Sequence, residues 1–293
     1  MTANQSARYA DAPRDVAALR TRLKNVANEL KTTQARLEVM LASVVVTQLV
    51  SDVVIKGGIA LKLRGGDRAT RFTTDVDVAR RGDVTIDEFL AGLRTQCAQG
   101  WGGFTAVVAE GRSARAPRTV PADYVMRPFL IKLAYRGRSF KTVTFEVGHD
   151  EIDSMNTPAE WRMSRDVADV ISRLGLPEPG DVRVLPAPYQ IAQKLHACTA
   201  VGAGGSNDRA HDLVDILLLL DLDKPDIGDI GRIGRRVFQS RKGHAWPPRV
   251  VEHPGWERIY AKAADGLDMP DLATAVQRVN ELIAAADGTG TPT

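Results

Sequence analysis

Asp75 and Asp77 stand two residues apart, with Val76 and Val78 interleaved. On a strand, alternate side chains point to opposite faces, so this spacing puts both carboxylates on one face and both valines on the other. Two such carboxylates can share a divalent cation, because magnesium takes one or two carboxylates together with substrate phosphate oxygens and water. An isolated Asp-x-Asp pair is weak evidence, since short motifs recur by chance. What precedes it adds weight. Val53-Val54-Ile55 suits a buried strand, Gly57-Gly58 after Lys56 permit a sharp exit, and residues 59–64 have helical spacing until Gly65-Gly66 end it. A glycine turn feeding a helix N-terminus offers unpaired backbone N–H groups to an anion. Arg71 and the hydroxyls of Thr73 and Thr74 then lead into the acidic strand, so a nucleoside triphosphate is a reasonable ligand for the whole segment.

Two later stretches carry further chemistry. Phe129, Ile131, Leu133 and Tyr135 alternate with polar or small residues, as do Val143, Phe145 and Val147 after Arg136-Gly137-Arg138, which predicts a β-hairpin. Aligning the two apolar sets requires a loop of odd length, such as three residues with Gly137 left-handed, and that register puts Lys132 and Glu146 on one face. Glu146 is then either a third metal carboxylate or a cross-strand partner of Lys132. Further on, Lys194 lies in an apolar, alanine-rich segment, where a lysine needs a partner; a triphosphate or Asp215 would serve. Asp208, His211, Asp212 and Asp215 share one face of the following helix, a face open to a ligand or simply solvated.

The elements that must position these groups are legible in outline. Residues 14–50 read as one long helix or two in series, packed through residues 39–50. Thr85-Ile86-Asp87-Glu88 has the form of a capping box, with a helix to about Gln96 and a strand over residues 104–109 after it. Residues 111–121 read as a basic loop bearing Arg112, Arg115 and Arg118, solvated or touching phosphates. Pro158, Pro177, Pro179, Pro186 and Pro188 mark a transition, so the division expected is residues 1–156 and residues 157–293. Helices over residues 188–201 and 208–222 follow. Arg232, Arg235, Arg236, Arg241, Lys242, His244 and Arg249 gather around Trp246-Pro247-Pro248. That cluster either docks a phosphodiester backbone with an exposed Trp246 stacking a base, or is a charged helix end.

The chain has 293 residues, 44% hydrophobic, with a formal charge of +3, so nucleic-acid affinity must come from local patches. Cys97 and Cys198 make neither a disulfide framework nor a zinc cluster, and His196 and His211 match no zinc spacing. The polar first 15 residues lack the apolar core of a signal peptide, and the apolar stretch 39–50 falls short of the roughly 20 residues of a membrane helix, which predicts a cytoplasmic protein.

Taken in order, the Lys56-Gly57-Gly58 turn, Arg71 to Asp77, Lys132 to Glu146, Gln190 to Ala197 and Asp208 to Asp215 resemble the AbiEii (MenT-type) toxin nucleotidyltransferases, over most of the chain. The resemblance implies a bilobed α/β (α+β) fold: a polymerase-beta-like sheet flanked by helices, then a mostly helical C-terminal lobe. It implies Mg2+ on Asp75 and Asp77 with Glu146, and nucleotide contacts from Lys56, Gly57, Gly58, Arg71, Thr73, Lys132 and Lys194. Asp215 completes the catalytic set, and Arg235, Arg236, Arg241, Lys242 and Arg249 are the candidate RNA contacts. The activity implied is transfer of NMP, a pyrimidine, from an NTP to the 3′ end of tRNA, with growth arrest and a cognate antitoxin. Phosphorylation of Thr73 would place about −1.5 to −2 charge beside the carboxylates and is a candidate control. A small-molecule nucleotidyltransferase and a non-catalytic RNA-binding or toxin-partner module are the competing readings.

Overall fold

The computed structural model describes residues 11–111, 126–150, 152, 154–201, 205–241 and 243–288. Among them are ten α-helices and seven strands, a mixed α/β architecture. By its internal contacts the chain divides into two units, one of Met1–Asp67, Phe72–Asp150 and Trp161–Val184, the other of Arg68–Arg71, Glu151–Glu160 and Leu185–Thr293.

The first unit is built on a sheet. Two helices in series, α1 (Val16–Glu29) and α2 (Gln34–Leu49), are capped by the side chains of Asp15 and Thr33. Strand β1 (Val53–Lys56) runs into α3 (Gly57–Gly65), and β2 (Asp75–Arg80) into α4 (Ile86–Gln99), which opens on a complete Thr85–Glu88 capping box. Strands β3 (Phe104–Glu110), β4 (Arg127–Tyr135), β5 (Arg138–His149), β6 (Glu160–Arg162) and β7 (Val182–Val184), with α5 (Arg165–Arg173) between the last two, complete the set. The order across the sheet is β3-β4-β5-β2-β1-β7-β6. Antiparallel pairs join β1 to β2 and β3 to β4 to β5, while β2–β5 and β1–β7 are parallel. Pairing with β1 ties β7 to this sheet, so the proline-rich stretch before it stays with the first unit. The apolar face of the sheet (Val76, Val78, Ile131, Phe145) packs with α1, α2 and α4 in one core.

The β4–β5 hairpin departs from expectation in one respect. Tyr135 pairs with Arg138, so the loop is two residues, Arg136 and Gly137, both left-handed (φ 47° and 75°), a type I′ arrangement. An even loop would turn one apolar set outward. The register instead shifts between Leu133 and Ala134, where Phe140 is the extra residue, and this bulge restores the parity that an odd loop was expected to supply.

The second unit is helical: α6 (Ala187–Thr199), α7 (His211–Asp223), α8 (Ile227–Arg241), α9 (Trp256–Ala264) and α10 (Leu272–Asp287). Helix α6 packs on α7 and α8, and α10 on α7, α8 and α9. Leu213, Ile216, Leu219, Ile230, Val237 and Trp256 are buried there.

Candidate active site

The register of the first unit assembles a row of charged residues that are far apart in sequence. Lys56 of β1 pairs with Asp77 of β2, and Asp77 with Glu146 of β5. Paired residues on adjacent strands share a face, so Lys56, Asp77 and Glu146 emerge side by side, with Asp75 two residues along β2 on the same face. Val76 and Val78 on the opposite face are fully buried, and this fixes the orientation of the acids.

The glycine turn opens directly onto this row. Gly57 is left-handed (φ 67°), and a Cβ there would lie 2.1 Å from Oδ2 of Asp77. At Gly58 a Cβ would meet the Thr73 side chain at 2.9–3.0 Å. Both glycines are therefore needed for close approach, and Gly57 for the turn as well. A third glycine serves the lysine, since a Cβ on Gly148 would come within 2.9 Å of Lys56 Nζ, which also lies 3.5 Å from Sδ of Met126. Thr74 Oγ1 donates to Asp75 Oδ1 at 3.2 Å. Among the described residues no three His, Cys, Asp or Glu side chains lie close enough together to hold a metal ion by themselves. Glu146 stands beside Asp77 in the row.

The second unit holds a separate, buried ion cluster. Lys194 Nζ, on α6, donates to Asp212 Oδ1 at 2.9 Å and to Asp215 Oδ2 at 2.6 Å, both acids from α7. Arg71 grips Asp215 with both arms of its guanidinium, Nε to Oδ1 at 2.7 Å and Nη2 to Oδ2 at 2.9 Å. Arg209 Nε reaches Asp212 Oδ2 at 2.7 Å. Both aspartates are inaccessible to solvent and Lys194 is 7% exposed. Burial alone would raise the two carboxyls, yet Lys194 with Arg71 or Arg209 outweighs it and holds both below the ordinary carboxylate range. Burial would likewise lower Lys194, but Asp212 and Asp215 keep its ammonium above the usual value. The cluster sets three basic side chains, Lys194, Arg71 and Arg209, against two carboxylates.

A family model, the nucleotidyl transferase AbiEii toxin of type IV toxin–antitoxin systems, matches residues 39–283, which takes in both clusters. The chain belongs to the AbiEii nucleotidyltransferase toxin family. Membership implies an NTP substrate and an antitoxin partner. Among solved structures the chain is similar to MenT4, a nucleotidyltransferase toxin of Mycobacterium tuberculosis H37Rv, with 18% identity, a TM-score of 0.48 and coverage of 91% of this chain and 98% of that one. It is also similar to JHP933 from Helicobacter pylori, with 14% identity, a TM-score of 0.42 and coverage of 87% and 93%. Among the curated proteins none matches the chain.

In this AbiEii chain the structure brings some of the expected site residues together and separates others. Lys56, Gly57, Gly58, Thr73, Asp77 and Glu146 adjoin one another in the first unit. Lys132 does not join them: it pairs with Thr142, four residues along β5 from Glu146, so the two make no direct cross-strand pair. Asp215 partners Lys194, one of the two partners expected for that lysine, while the helix face it shares with Asp212, expected to be open to ligand or solvent, is enclosed. Arg209 had no role expected of it from sequence; its i, i+3 spacing with Asp212, near a lysine needing partners, is the local signal that marks it.

The basic cluster that begins on α8 and runs past its end is largely engaged where it is described. Arg235 Nη2 donates to Asp287 Oδ1 at 2.9 Å, and Arg236 Nη2 to the Ile152 carbonyl at 2.9 Å. Trp246, expected to be exposed, is half-buried: its ring lies against Gly234 and edge-on to Phe238, and Nε1 donates to Asp287 at 2.8 Å. A small residue at position 234 makes room for the indole, which a helical pattern does not reveal. Arg249 is exposed, Arg241 is half-buried, and Lys242, like the basic loop of Arg112, Arg115 and Arg118, lies outside the described residues. His196 packs against Phe238 and His244, and burial lowers its pKa to about 3, which suits a neutral packing residue. No described helix is long and apolar enough to cross a membrane.

Proposed function

We propose that this toxin transfers a nucleoside monophosphate, from a pyrimidine triphosphate, to the 3′ end of a tRNA, releasing pyrophosphate and stopping translation. The observation that carries this reading is the glycine turn held against Asp77, beside Asp75, Lys56 and Glu146. The turn presents backbone N–H groups to phosphates, and the acids stand where a phosphate-bound cation would be shared.

Magnesium fits this donor set, since two carboxylates on one strand face leave positions for phosphate oxygens and water. Asp75 and Asp77 would hold it, with Glu146 adjacent; when bound it would neutralise phosphate charge and polarise the α-phosphate. In the step proposed, the acceptor 3′-oxygen bonds to the α-phosphorus while the bond from that phosphorus to the bridging oxygen of pyrophosphate breaks. The hydroxyl proton passes to a carboxylate of the row or to water. Lys56 and the turn orient the departing phosphates. Lys194 uses two of its three N–H donors on Asp212 and Asp215, and its third is proposed to meet a substrate phosphate oxygen, with Asp215 orienting Lys194 and Arg71 as a counter-charge. Phosphate on Thr73, whose side chain lies against Gly58, is proposed to block the turn by bulk and charge.

The test is incubation of purified protein with magnesium, total tRNA and each labelled NTP, alongside Asp77→Asn. Label entering tRNA with wild type alone, and from one donor above the rest, supports the reading. Label entering a small hydroxyl compound in place of tRNA, or from no donor at all, sinks it.

A further inference from the structure

The sheet face that carries the acids does not end at Glu146. Across β5, β4 and β3 the same alternation turns Thr144, Thr142, Leu130, Lys132, Thr105 and Val107 to this side, opposite the face packed with α1, α2 and α4. Lys132, Thr142 and Thr105 are exposed, and Val107, which pairs with Lys132, is 66% exposed. Beyond Glu146, no strand residue on this side of β3, β4 or β5 is acidic. A polyanion can therefore lie here without meeting like charge, against hydroxyl donors, one ammonium and a few aliphatic side chains.

We infer that this open half of the sheet is the platform for the acceptor strand, and that Lys132 contacts an RNA phosphate upstream of the reacting 3′ end. The inference rests on the transferase reading above and deepens it. Lys132 lies four residues along the hairpin from the position opposite Glu146, about 13 Å at the usual strand rise. That is too far to serve the reacting phosphates, but is the span of the nucleotides that precede them. Threonine hydroxyls and lysine are ordinary phosphate partners and carry no sequence information, so the platform positions an unpaired end without reading it. Continuity with the acid row favours RNA as the occupant over a protein strand added to the β3 edge.

Val107 gives a direct test, since a side chain so exposed is replaceable without repacking. Initial rates are measured with wild type, Val107→Glu, Val107→Arg, Lys132→Glu and Lys132→Ala, varying tRNA and NTP separately, with melting curves to confirm folding. Expected are a KM for tRNA raised about tenfold in the two glutamate variants and lowered in Val107→Arg, KM for NTP within about twofold, and a log affinity–log salt slope shallower by about 1 in Lys132→Ala. A KM for tRNA indifferent to both Val107 changes overturns the platform. So does a rise in the NTP KM alone with Lys132→Glu, which returns that lysine to the nucleotide. Binding of end-labelled tRNA without NTP separates two failures: binding that follows the Val107 series without any transfer defeats the transferase reading only, whereas transfer that ignores Val107 defeats the platform only.

Discussion

Replacing Gly57 by alanine puts a methyl group where Asp77 already is. Two costs follow, and they act on different observables. The first is backbone strain: Gly57 has φ 67°, and an L-residue in that region costs roughly 1–2 kcal/mol, or about 2–8 °C of Tm in a domain of ordinary size. The second is the clash. Oδ2 of Asp77 must retreat from 2.1 Å to at least 3.4 Å from the new Cβ, a displacement of about 1.3 Å. The carboxylate is the end of a side chain and can swing away, so little stability is lost through the clash itself. Its position is lost, and a misplacement of about 1 Å at a reacting centre can cost about 10²-fold in rate. Gly137 is the control. Its φ is 75° and a Cβ there meets nothing within 4 Å, so Gly137→Ala carries the strain without the clash. The assay is transfer of labelled nucleotide at saturating substrates, with Tm measured on the same preparations. Similar Tm losses are expected, with activity down about 100-fold in Gly57→Ala and within about twofold of wild type in Gly137→Ala. Equal activities in the two variants would refute the idea that the turn must admit Asp77.

Lys194→Met should destabilise the second unit by about 3–5 kcal/mol, because it strips a cation from two wholly buried aspartates; urea denaturation checks this. Asp212 and Asp215 have folded pKa values below the ordinary 3.8. Their contribution to stability is therefore complete above about pH 4 and drains away as pH falls through the lower folded values. Melting curves between pH 5 and pH 2 should fall less steeply for Asp215→Asn than for wild type, and parallel curves would count against the pairing. Thr73→Glu should bring a carboxylate against Gly58 and raise the KM for NTP with little change in Tm, whereas Thr73→Ser should retain activity; an active Thr73→Glu enzyme would rule out control by phosphate at that position.

Much of this molecule was readable from local pattern. Alternation over residues 75–78 determined that both acids share a face, because strand periodicity is a property of the backbone and needs no partner. The capping box at Thr85, the helices flanking residues 30–33 and the hairpin around Gly137 are likewise short-range consequences of residue type. Order along the chain, from glycine turn to acid strand to lysine helix, sufficed for the mixed α/β class and for the family. Three features needed the tertiary structure. Which strands lie beside β2 is a matter of pairing between residues some 20 to 70 apart in sequence, and only that pairing set Lys56 and Glu146 on either side of Asp77 while leaving Lys132 four residues away. The bulge at Phe140 could replace an odd loop because parity constrains the sum of loop and bulge, not either one. The polar face of α7 looks the same whether it meets water or a buried lysine. Burial is decided by what packs against a face, and for Asp212 and Asp215 that partner, Lys194, lies one helix earlier, with Arg71 more than 100 residues away.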